Sequence, residues 1–534
     1  MLRSLWQRFE NWWRSLAGVD QWAWVSVAVA TVLGASYRLV SLRQTMQFLA
    51  DQGRDAIIAY GIFHGDFTLV GPSTSVGDMF LGPFYYYFMA PWLALAGNDP
   101  IGPTLAVAAL GILTVPLLYW VGKQFVGTVP AVLATLLYAT APVAIEYTRF
   151  SWNPNPAPFV MLFLLYGTWK AWRSSARWWL LVAVSWAVLI QLHYVALLSL
   201  APAGIFWLAD VYRTLRAHDV SRLRSLALWT VLSIGLVLLS WLPLVLFDFR
   251  FNHLISKGFT DFLDGDPTKA SIPLWEALAK IWREQHGRAM HVLFEVWGGK
   301  DWTVWYRQIN SWLLVGYAIM AVSSLLRWWK TEYRAGAVLI LLTLSSSILG
   351  LAWYPGTVFH HYITYLLPAA YLLTGMVLVE LARRFSWLGI FFSAGVLMYI
   401  FWLSVLPSTL LYLKPLGWDL DDYKSVSQII AERVPADASY SLANLSEIRD
   451  YRGLSYRYFL LIGDHPPAEF EVSGDAEYLV IVAENPKESD AVLSSPVYEV
   501  SQFPKGEYEF IDVMDGPRLY FIQRAETQTE GLSE

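Results

Sequence analysis

The sequence predicts a polytopic α-helical membrane protein that carries a small α/β soluble domain near its C-terminal end. Of the 534 residues, 56% are hydrophobic and only 15% are charged, and there are 28 Trp, 29 Tyr and 28 Phe. Aromatic residues at this density are typical of membrane interfaces. Apolar segments long enough to cross a bilayer recur up to about residue 408, and from about residue 418 the composition becomes that of a soluble domain.

The candidate membrane spans are apolar segments of roughly twenty residues. They cover residues 22–40, 80–97, 101–121, 128–146, 156–172, 177–194, 196–213, 225–247, 309–328, 335–353, 363–382 and 386–408. The segment 80–97 is the doubtful one. Between Gly82 and Gly97 a helix would rise only about 24 Å, short of the roughly 30 Å hydrocarbon core, and Pro91 interrupts it.

Positive charges decide the topology. If 80–97 lies in the interface, every later basic loop faces the cytoplasm, whereas if it crosses, every one of them faces outside. The positive-inside rule favours the first arrangement. The loops carry Lys123; Lys170, Arg173 and Arg177; Arg213, Arg216, Arg222 and Arg224; Arg327, Lys330 and Arg334; Arg383 and Arg384. The sequence therefore predicts about eleven spans, a cytoplasmic N-terminus and an extracytoplasmic C-terminal domain.

This topology sets the domain organisation. A membrane domain occupies residues 1–410, with a first external loop at 41–100 that contains juxtamembrane helices and a long external loop at 248–306. An extracytoplasmic α/β domain follows at 418–524, and 525–534 is predicted to be a disordered tail. Within the outer domain the residue pattern predicts a helix at Ser425–Val434 and strands at Leu479–Ala483, Tyr508–Val513 and Arg518–Gln523.

Composition excludes several classes of function. The net charge of −5 is small and argues against a nucleic-acid partner. The chain has no Cys, which excludes disulfides, thiolate metal sites and a Cys nucleophile. The first apolar segment is followed by no small-residue cleavage pattern, so it is expected to be a retained anchor.

Polar chemistry begins just after the first span, in the run Asp51-Gln52-Gly53-Arg54-Asp55. Asp51 is expected outside, close to the lipid headgroups. ATP and nucleotide sugars are cytoplasmic, so chemistry at this position needs a donor carried by the membrane. If the run is helical, Asp51 and Asp55 share one face. Asp51 is the candidate base, and the alternative is a solvated carboxylate paired with Arg54.

Four motifs along the outer loops resemble one superfamily. They are Asp51 to Asp55, Gly71-Pro-Ser-Thr-Ser75, Gly82-Pro83-Phe-Tyr-Tyr-Tyr, and Ser151-Trp-Asn153-Pro-Asn155-Pro. Together with the span layout over about residues 20–410, they are similar to the GT-C superfamily of membrane glycosyltransferases. The resemblance is closest to the family 39-like branch of protein O-mannosyltransferases and lipid A aminoarabinose transferases.

The resemblance implies an enzyme of the bacterial cytoplasmic membrane. It implies transfer of a hexose or pentose from a polyprenyl phosphate or diphosphate to a protein, lipid or glycan acceptor, outside the cytoplasm and with inversion. The first-loop acid would act as base or orient the acceptor. No cofactor is predicted, and a divalent metal lacks the support of an Asp-x-Asp motif after span three.

Glycosyl transfer from a lipid phosphate needs a carboxylate for the acceptor proton and donors for the departing phosphate. Asp55 and Glu146 are further candidate catalytic carboxylates beside Asp51. Arg54 and Arg149 are candidates for the phosphate, because a guanidinium offers a bidentate fork. For Arg149 the alternative is an anchor that snorkels to the outer headgroups.

Other candidate substrate ligands lie on the predicted outer loops. They are Tyr85, Asn153, Asn155, His193, Lys257, His360, His361 and Tyr362. Each has a simpler alternative: the Asn-Pro pairs fix their loop, and the aromatic run at Tyr85 forms an interface belt. Because adjacent His360 and His361 point to different sides of a helix, a joint metal site is not expected.

Two other classes of function stay open on the sequence. A transporter or flippase of lipid-linked sugars would share the many spans, but it usually carries inverted repeats and charges near mid-membrane. No clear internal repeat is seen. A non-catalytic subunit with a GT-C scaffold would use the outer domain to bind a partner. Loss of activity on changing Asp51 alone would separate an enzyme from such a scaffold.

Overall fold

A computed structural model describes residues 18–74, 79–264, 303–352, 360–405, 418–446, 450–468, 475–485 and 487–525. Three parts of the sequence predictions lie outside these described residues. They are Ser75 of the second motif, most of the long loop at 248–306, and all but the first residue of the tail at 525–534.

The described residues up to 405 fold mainly into helices. Its α-helices are α1 Gly18–Leu39, α2 Leu42–Thr45, α3 Ala50–Phe63, α4 Phe84–Leu95, α5 Ile101–Val126, α6 Thr128–Thr140, α7 Pro142–Glu146, α8 Ala157–Arg173, α9 Trp179–Leu192, α10 Leu200–Arg216, α11 Val220–Arg250, α12 Leu254–Asp264, α13 Thr303–Trp328, α14 Arg334–Ala352 and α15 Leu367–Val405. Short 3-10 helices cover Ala176–Trp178, Tyr194–Ser199 and His360–Leu366.

Length and apolar composition qualify five stretches of the described residues to cross a membrane. They are Ile101–Val126, Tyr194–Arg216, Val220–Arg250, Arg334–Leu351 and His361–Gly395. The doubtful segment 80–97 contains only α4, whose 12 residues rise about 18 Å, less than the bilayer core. The helix α4 is therefore too short to span.

Three predicted spans differ in detail from the helices found. The segment 128–146 is not continuous, because Ala141 is extended (φ −69°, ψ 127°) and separates α6 from α7. Pro142 explains the break, since a residue before proline is pushed out of the helical region. The segments 363–382 and 386–408 meet at Ser386, which has φ 51° and ψ −129°. The chain folds back there, so Ser393 Oγ donates to the Leu378 carbonyl at 3.2 Å.

Ion pairs mark the two ends of α5. At one end Arg43 pairs with Asp99 at 2.8 Å and with Asp421 at 2.6 Å. At the other end Lys123 pairs with Asp20 at 2.7 Å. The 26 residues of α5 span about 39 Å and separate Asp99 from Lys123. Residues 99 and 421 therefore share one end of the membrane part, and residues 20 and 123 share the other.

Cysteine labelling tests which end is outside. The chain has no native Cys, so a single Cys at position 99, 123 or 424 gives an unambiguous result; Lys424 is exposed, whereas Leu420, which is also predicted to lie outside, is buried. An impermeant maleimide added to intact spheroplasts is expected to label positions 99 and 424 but not 123, because the basic loops should face the cytoplasm. Labelling of 99 and 123 from the same side would contradict the topology.

The outer domain is a four-stranded sheet with helices. Its elements are α16 Leu420–Arg433, β1 Tyr440–Leu445, α17 Leu454–Ile462, β2 Tyr478–Ala483, α18 Ser489–Leu493, α19 Tyr498–Gln502, β3 Lys505–Asp512 and β4 Arg518–Arg524. The strand order is β1-β2-β4-β3; β1 and β2 are parallel and the other pairs antiparallel. The helix predicted at 425–434 starts earlier, because the Asp419 carboxylate accepts from the Asp421 N–H at 2.9 Å.

Candidate active site

Helix α3 carries the polar run that follows the first span. Gln52 Oε1 accepts the Leu49 N–H at 2.9 Å, which satisfies one of the free donors at the start of the helix. Asp51 lies in the first turn, where a negative charge is favoured by the helix dipole. Because α3 is regular, Asp51 and Asp55 lie four residues apart on neighbouring turns.

Asp51, Arg54, Asp55 and Tyr86 form what is called here the acid–arginine cluster. Arg54 Nη1 donates to Asp51 Oδ1 at 3.0 Å, while its Nε and Nη2 donate to Asp55 Oδ1 at 3.0 and 2.7 Å. The Tyr86 hydroxyl, brought in by α4, interacts with both Arg54 and Asp55. One guanidinium thus joins the two carboxylates that the sequence singled out.

Burial divides the roles of the two carboxylates. The Asp55 side chain is 0% exposed, whereas that of Asp51 is 49% exposed and that of Arg54 is 25% exposed. Burial raises the pKa of Asp55 to about 6, although the Arg54 guanidinium acts to lower it. Asp55 is therefore placed to hold Arg54, and Asp51 is the carboxylate that a substrate can reach.

The outer domain packs directly on α3. A Cβ built on Gly53 would lie 2.6 Å from the Leu454 carbonyl carbon and 2.7 Å from the Ser455 nitrogen, so α17 starts against this glycine. Ser455 Oγ donates to the Phe48 carbonyl at 3.2 Å. The Phe48 ring lies 5.7 Å from that of Phe459. Removing the outer domain would uncover these groups, so a deletion would disturb α3 itself.

A second cluster, called here the imidazole cluster, consists of Trp152, His193, His361 and Tyr362. The His361 ring lies 4.4 Å from Trp152 and 5.6 Å from His193, and His193 lies 4.5 Å from Tyr362. The sequence proposed His193 and the His360–Tyr362 run as separate candidates. The fold brings three of these residues together from two loops that are more than 150 positions apart.

His193 is neutral and has a defined tautomer. Its Nδ1 accepts the Val195 N–H at 3.2 Å, so the ring proton lies on Nε2. His193 can therefore donate one hydrogen bond to a substrate oxygen, but it brings no positive charge.

The two clusters are connected through α4 and the loop after α7. The Tyr85 hydroxyl and Ser151 Oγ are 2.7 Å apart, and Ser151 precedes Trp152 of the imidazole cluster. Tyr85 itself is 0% exposed. This burial supports a framework role rather than the substrate contact that was predicted for Tyr85, which stays a prediction.

The two Asn-Pro pairs fix their loop. Asn153 Nδ2 donates to the Leu192 carbonyl at 2.6 Å, which joins the loop to the end of α9 beside His193. Asn155 Nδ2 donates to the Phe150 carbonyl at 2.8 Å. Both side chains are buried. The contacts favour the loop-fixing interpretation over direct sugar binding by Asn153 and Asn155.

Arg149 is buried and holds the end of the first helix. It is 1% exposed, and its guanidinium donates to the Tyr37 carbonyl at 2.6 Å, to the Val40 carbonyl at 2.8 Å and to Thr45 Oγ1. A phosphate would have to displace these acceptors. The contacts also differ from a snorkelling anchor, whose charge would lie in water. They favour a structural role for Arg149 over the predicted phosphate contact.

Replacing Arg149 with alanine tests this role. Arg149→Ala removes the donor from one buried and two partly buried hydrogen bonds, so we expect a loss of stability of about 1–3 kcal/mol and an unchanged KM for the lipid donor in the folded fraction. Arg177→Ala, at an exposed arginine, is the control and should leave the melting temperature unchanged. If Arg149→Ala has a normal melting temperature and a KM for the lipid donor raised about tenfold, Arg149 contacts the phosphate as the sequence predicted.

The positions of the remaining predicted residues do not indicate a role in the site. Glu146 ends α7 and is exposed, and Lys257 is exposed on α12. His360 starts the 3-10 helix before α15, and its side chain lies outside the described part. Their roles stay predictions. Among the described residues, no group of three or more His, Asp or Glu could hold a metal ion.

Sequence reasoning passed over Tyr86, Trp152 and Gly53. Tyr86 and Trp152 belong to the motifs that begin at Gly82 and Ser151, but nothing in the sequence distinguishes them from aromatic residues of a membrane interface. Gly53 carried a usable signal. A glycine inside a helix costs about 1 kcal/mol relative to alanine, so its place between Asp51 and Arg54 indicates a close packing partner.

A family model matches part of the membrane domain. Residues 81–247 match the model described as dolichyl-phosphate-mannose-protein mannosyltransferase. This stretch covers α4 and the loop with Ser151 to Asn155, and it ends within α11. No curated protein sequence matches the chain.

Solved structures of two membrane glycosyltransferases share the fold over nearly the whole chain. ArnT from Cupriavidus metallidurans bound to undecaprenyl phosphate is 14% identical, with a TM-score of 0.56 over 95% of this chain and 98% of ArnT. AglB from Archaeoglobus fulgidus, in complex with an inhibitory peptide and a dolichol-phosphate, is 11% identical, with a TM-score of 0.51 over 95% of this chain and 74% of AglB. The predicted resemblance to the GT-C superfamily is confirmed at the level of the fold.

Proposed function

We propose that this chain, which has the GT-C fold, is a membrane glycosyltransferase that uses a polyprenyl-phosphate sugar as donor. The observation that carries the proposal is the acid–arginine cluster, in which half-exposed Asp51 shares Arg54 with fully buried Asp55. The bound lipids of the two neighbours, undecaprenyl phosphate in ArnT and dolichol-phosphate in AglB, support the donor class.

In the proposed reaction, an acceptor hydroxyl attacks the anomeric carbon of the donor sugar. The new bond forms between the acceptor oxygen and that carbon, while the bond from carbon to the phosphate oxygen breaks and polyprenyl phosphate leaves. Asp51 takes the hydroxyl proton, since a half-exposed carboxylate is open to a substrate hydroxyl. A base and a leaving group on opposite faces of the sugar give inversion, as in the inverting glycosidases.

Arg54 and His193 supply donors for the departing phosphate. The Arg54 guanidinium is charged and 25% exposed, and Asp55 fixes it from the buried side. His193 adds a neutral Nε2–H. Donors fixed in advance stabilise charge that develops in the transition state without having to reorganise. Asp55 therefore acts as a positioning residue, because it touches Arg54 rather than the reacting atoms.

The proposed site lies at the outer face of a bacterial cytoplasmic membrane, with the outer domain beside it. About eleven spans are proposed, and α3 and α4 are placed in the interface. In this arrangement a donor lipid keeps its chain in the bilayer and presents its phosphate to α3. The acceptor reaches Asp51 from the aqueous side, next to the outer domain.

A reconstituted assay distinguishes this function from its rivals. The full chain in proteoliposomes is given undecaprenyl-phosphate hexoses and pentoses together with a cell-envelope extract as acceptor, and free undecaprenyl phosphate is measured. A glycosyltransferase releases it only when acceptor is present. Movement of intact lipid-linked sugar across the bilayer without release would indicate a transporter. Donor binding with neither outcome would indicate a scaffold subunit.

A further inference from the structure

The outer domain has a polar cluster of its own at the edge of its sheet. The parallel strands β1 and β2 both end there, at Leu445 and Ala483. Loops that follow the carboxyl ends of neighbouring parallel strands are where open α/β sheets bind ligands. The residues gathered at this place are called here the edge cluster: Asn444, Ser446, Asp450, Tyr456 and Glu484.

Glu484 is the centre of the edge cluster. One carboxylate oxygen, Oε1, accepts the Tyr456 hydroxyl at 3.0 Å and the Asn444 amide Nδ2 at 3.4 Å. The Glu484 side chain is half-buried, so part of the carboxylate stays accessible. Asp450, which is 6% exposed, accepts the Leu454 N–H at 3.1 Å and caps α17.

A buried acceptor in the edge cluster has no donor. Asn444 is 2% exposed, and its Oδ1 accepts no hydrogen bond within the described part of the chain. Its amide nitrogen already faces Glu484, so Oδ1 belongs to the same cluster. An unsatisfied buried polar atom destabilises a protein. Asn444 Oδ1, on the amide that bonds Glu484, therefore indicates a ligand that donates hydrogen bonds.

The chemistry of the edge cluster favours hydroxyl groups over a metal ion. Among the described residues, two carboxyl groups lie in the edge cluster, and no group of three or more His, Asp or Glu could hold a metal. Burial raises the pKa of Asp450 to about 6 and also raises that of Glu484. Sugar hydroxyl groups donate hydrogen bonds to carboxyl and amide oxygens alike. The buried rings of Tyr423 and Tyr456, 5.0 Å apart, pack behind the carboxyl groups.

We propose that the edge cluster binds a saccharide, with Asn444 Oδ1, Asp450 and Glu484 as acceptors for sugar hydroxyl groups. Helix α17 starts four residues after Asp450, and its first turn rests on Gly53 between Asp51 and Arg54. A saccharide held here is therefore next to the helix that carries the proposed base. That this saccharide is the acceptor of sugar transfer rests on the proposed function. The binding of a saccharide to the edge cluster does not.

Binding is measured without donor lipid, so a failure of the transferase proposal does not affect the result. The full-length detergent-solubilised chain is applied to an array of bacterial oligosaccharides and compared with three variants. Glu484→Gln and Asp450→Asn keep the side-chain shapes but alter the charge and the acceptors. Glu488→Gln changes an exposed carboxylate a few residues after β2 and is the matched control.

We expect the unmodified protein and Glu488→Gln to bind the same saccharides. Glu484→Gln and Asp450→Asn should bind them about tenfold more weakly, because each variant replaces a carboxylate acceptor by a weaker amide acceptor. Melting temperatures measured on the same samples identify any variant that fails to fold, and the other variant then decides. The proposal is wrong if no saccharide binds the unmodified protein, or if the folded variants bind as well as the control.

Discussion

Replacing Asp51 with asparagine is expected to lower the rate of sugar transfer by about two to four orders of magnitude, the usual contribution of general-base catalysis. Asp51 is the exposed member of the acid–arginine cluster, and an amide cannot take the acceptor proton. The protein should still fold and bind donor, because asparagine has the same shape and Arg54 keeps its bonds to Asp55. The rate is measured from the release of undecaprenyl phosphate.

The variant Asp55→Asn distinguishes the proposed base, Asp51, from the residue that positions Arg54. Asp55 is buried and contacts Arg54 and Tyr86, so asparagine at this position should loosen Arg54 and raise the KM for donor more than it lowers kcat. Some loss of stability is also expected, because Asp55 is 0% exposed and paired. The opposite pattern, with Asp51→Asn near full activity and Asp55→Asn inactive, would show that the wrong carboxylate was chosen.

A methyl group on Gly53 is expected to reduce both stability and transfer. In Gly53→Ala the new Cβ would lie 2.6–2.7 Å from backbone atoms of Leu454 and Ser455, so α3 and α17 must move apart. Overpacking of this kind costs about 1–3 kcal/mol. Because Asp51 and Arg54 flank Gly53, a shift near 1 Å should lower the transfer rate by about 100-fold.

Gly61→Ala is the matched control on the same helix. Its Cβ would meet only the Asp66 side chain, at 3.4 Å, which is ordinary contact. Alanine favours the helix over glycine by about 1 kcal/mol, so this variant should be at least as stable as the unmodified protein. Equal melting temperatures and rates for Gly53→Ala and Gly61→Ala would contradict the close packing of the outer domain on α3.

The parts of the molecule that the sequence predicted depend on local pattern. Apolar length located the helices, and the spacing of Asp51 and Asp55 indicated that one helical face would carry both. The break at Ala141 was also within reach of sequence reasoning, since Pro142 follows it. The distribution of positive charges among the loops excluded α4 as a span, and its length of 12 residues agrees with this.

The parts that were missed depend on contacts between distant segments. Arg149 looks like any interfacial arginine until the fold places the end of α1 against it. His193 and His361 meet only after α9 and the 3-10 helix before α15 pack together. Strand β1 was not predicted, and neither was helix α17, whose burial comes from packing against α3 and α16. No local period in the sequence encodes these pairings.

The most direct test of the central claim is a density map of the full chain in lipid nanodiscs with undecaprenyl phosphate. The predicted result is a phosphate within about 3 Å of the Arg54 guanidinium, on the side that Asp51 faces, with the polyprenyl chain entering the bilayer. A phosphate bound at the cytoplasmic end, near Asp20 and Lys123, would contradict the account. So would an ordered lipid whose phosphate leaves the acid–arginine cluster untouched.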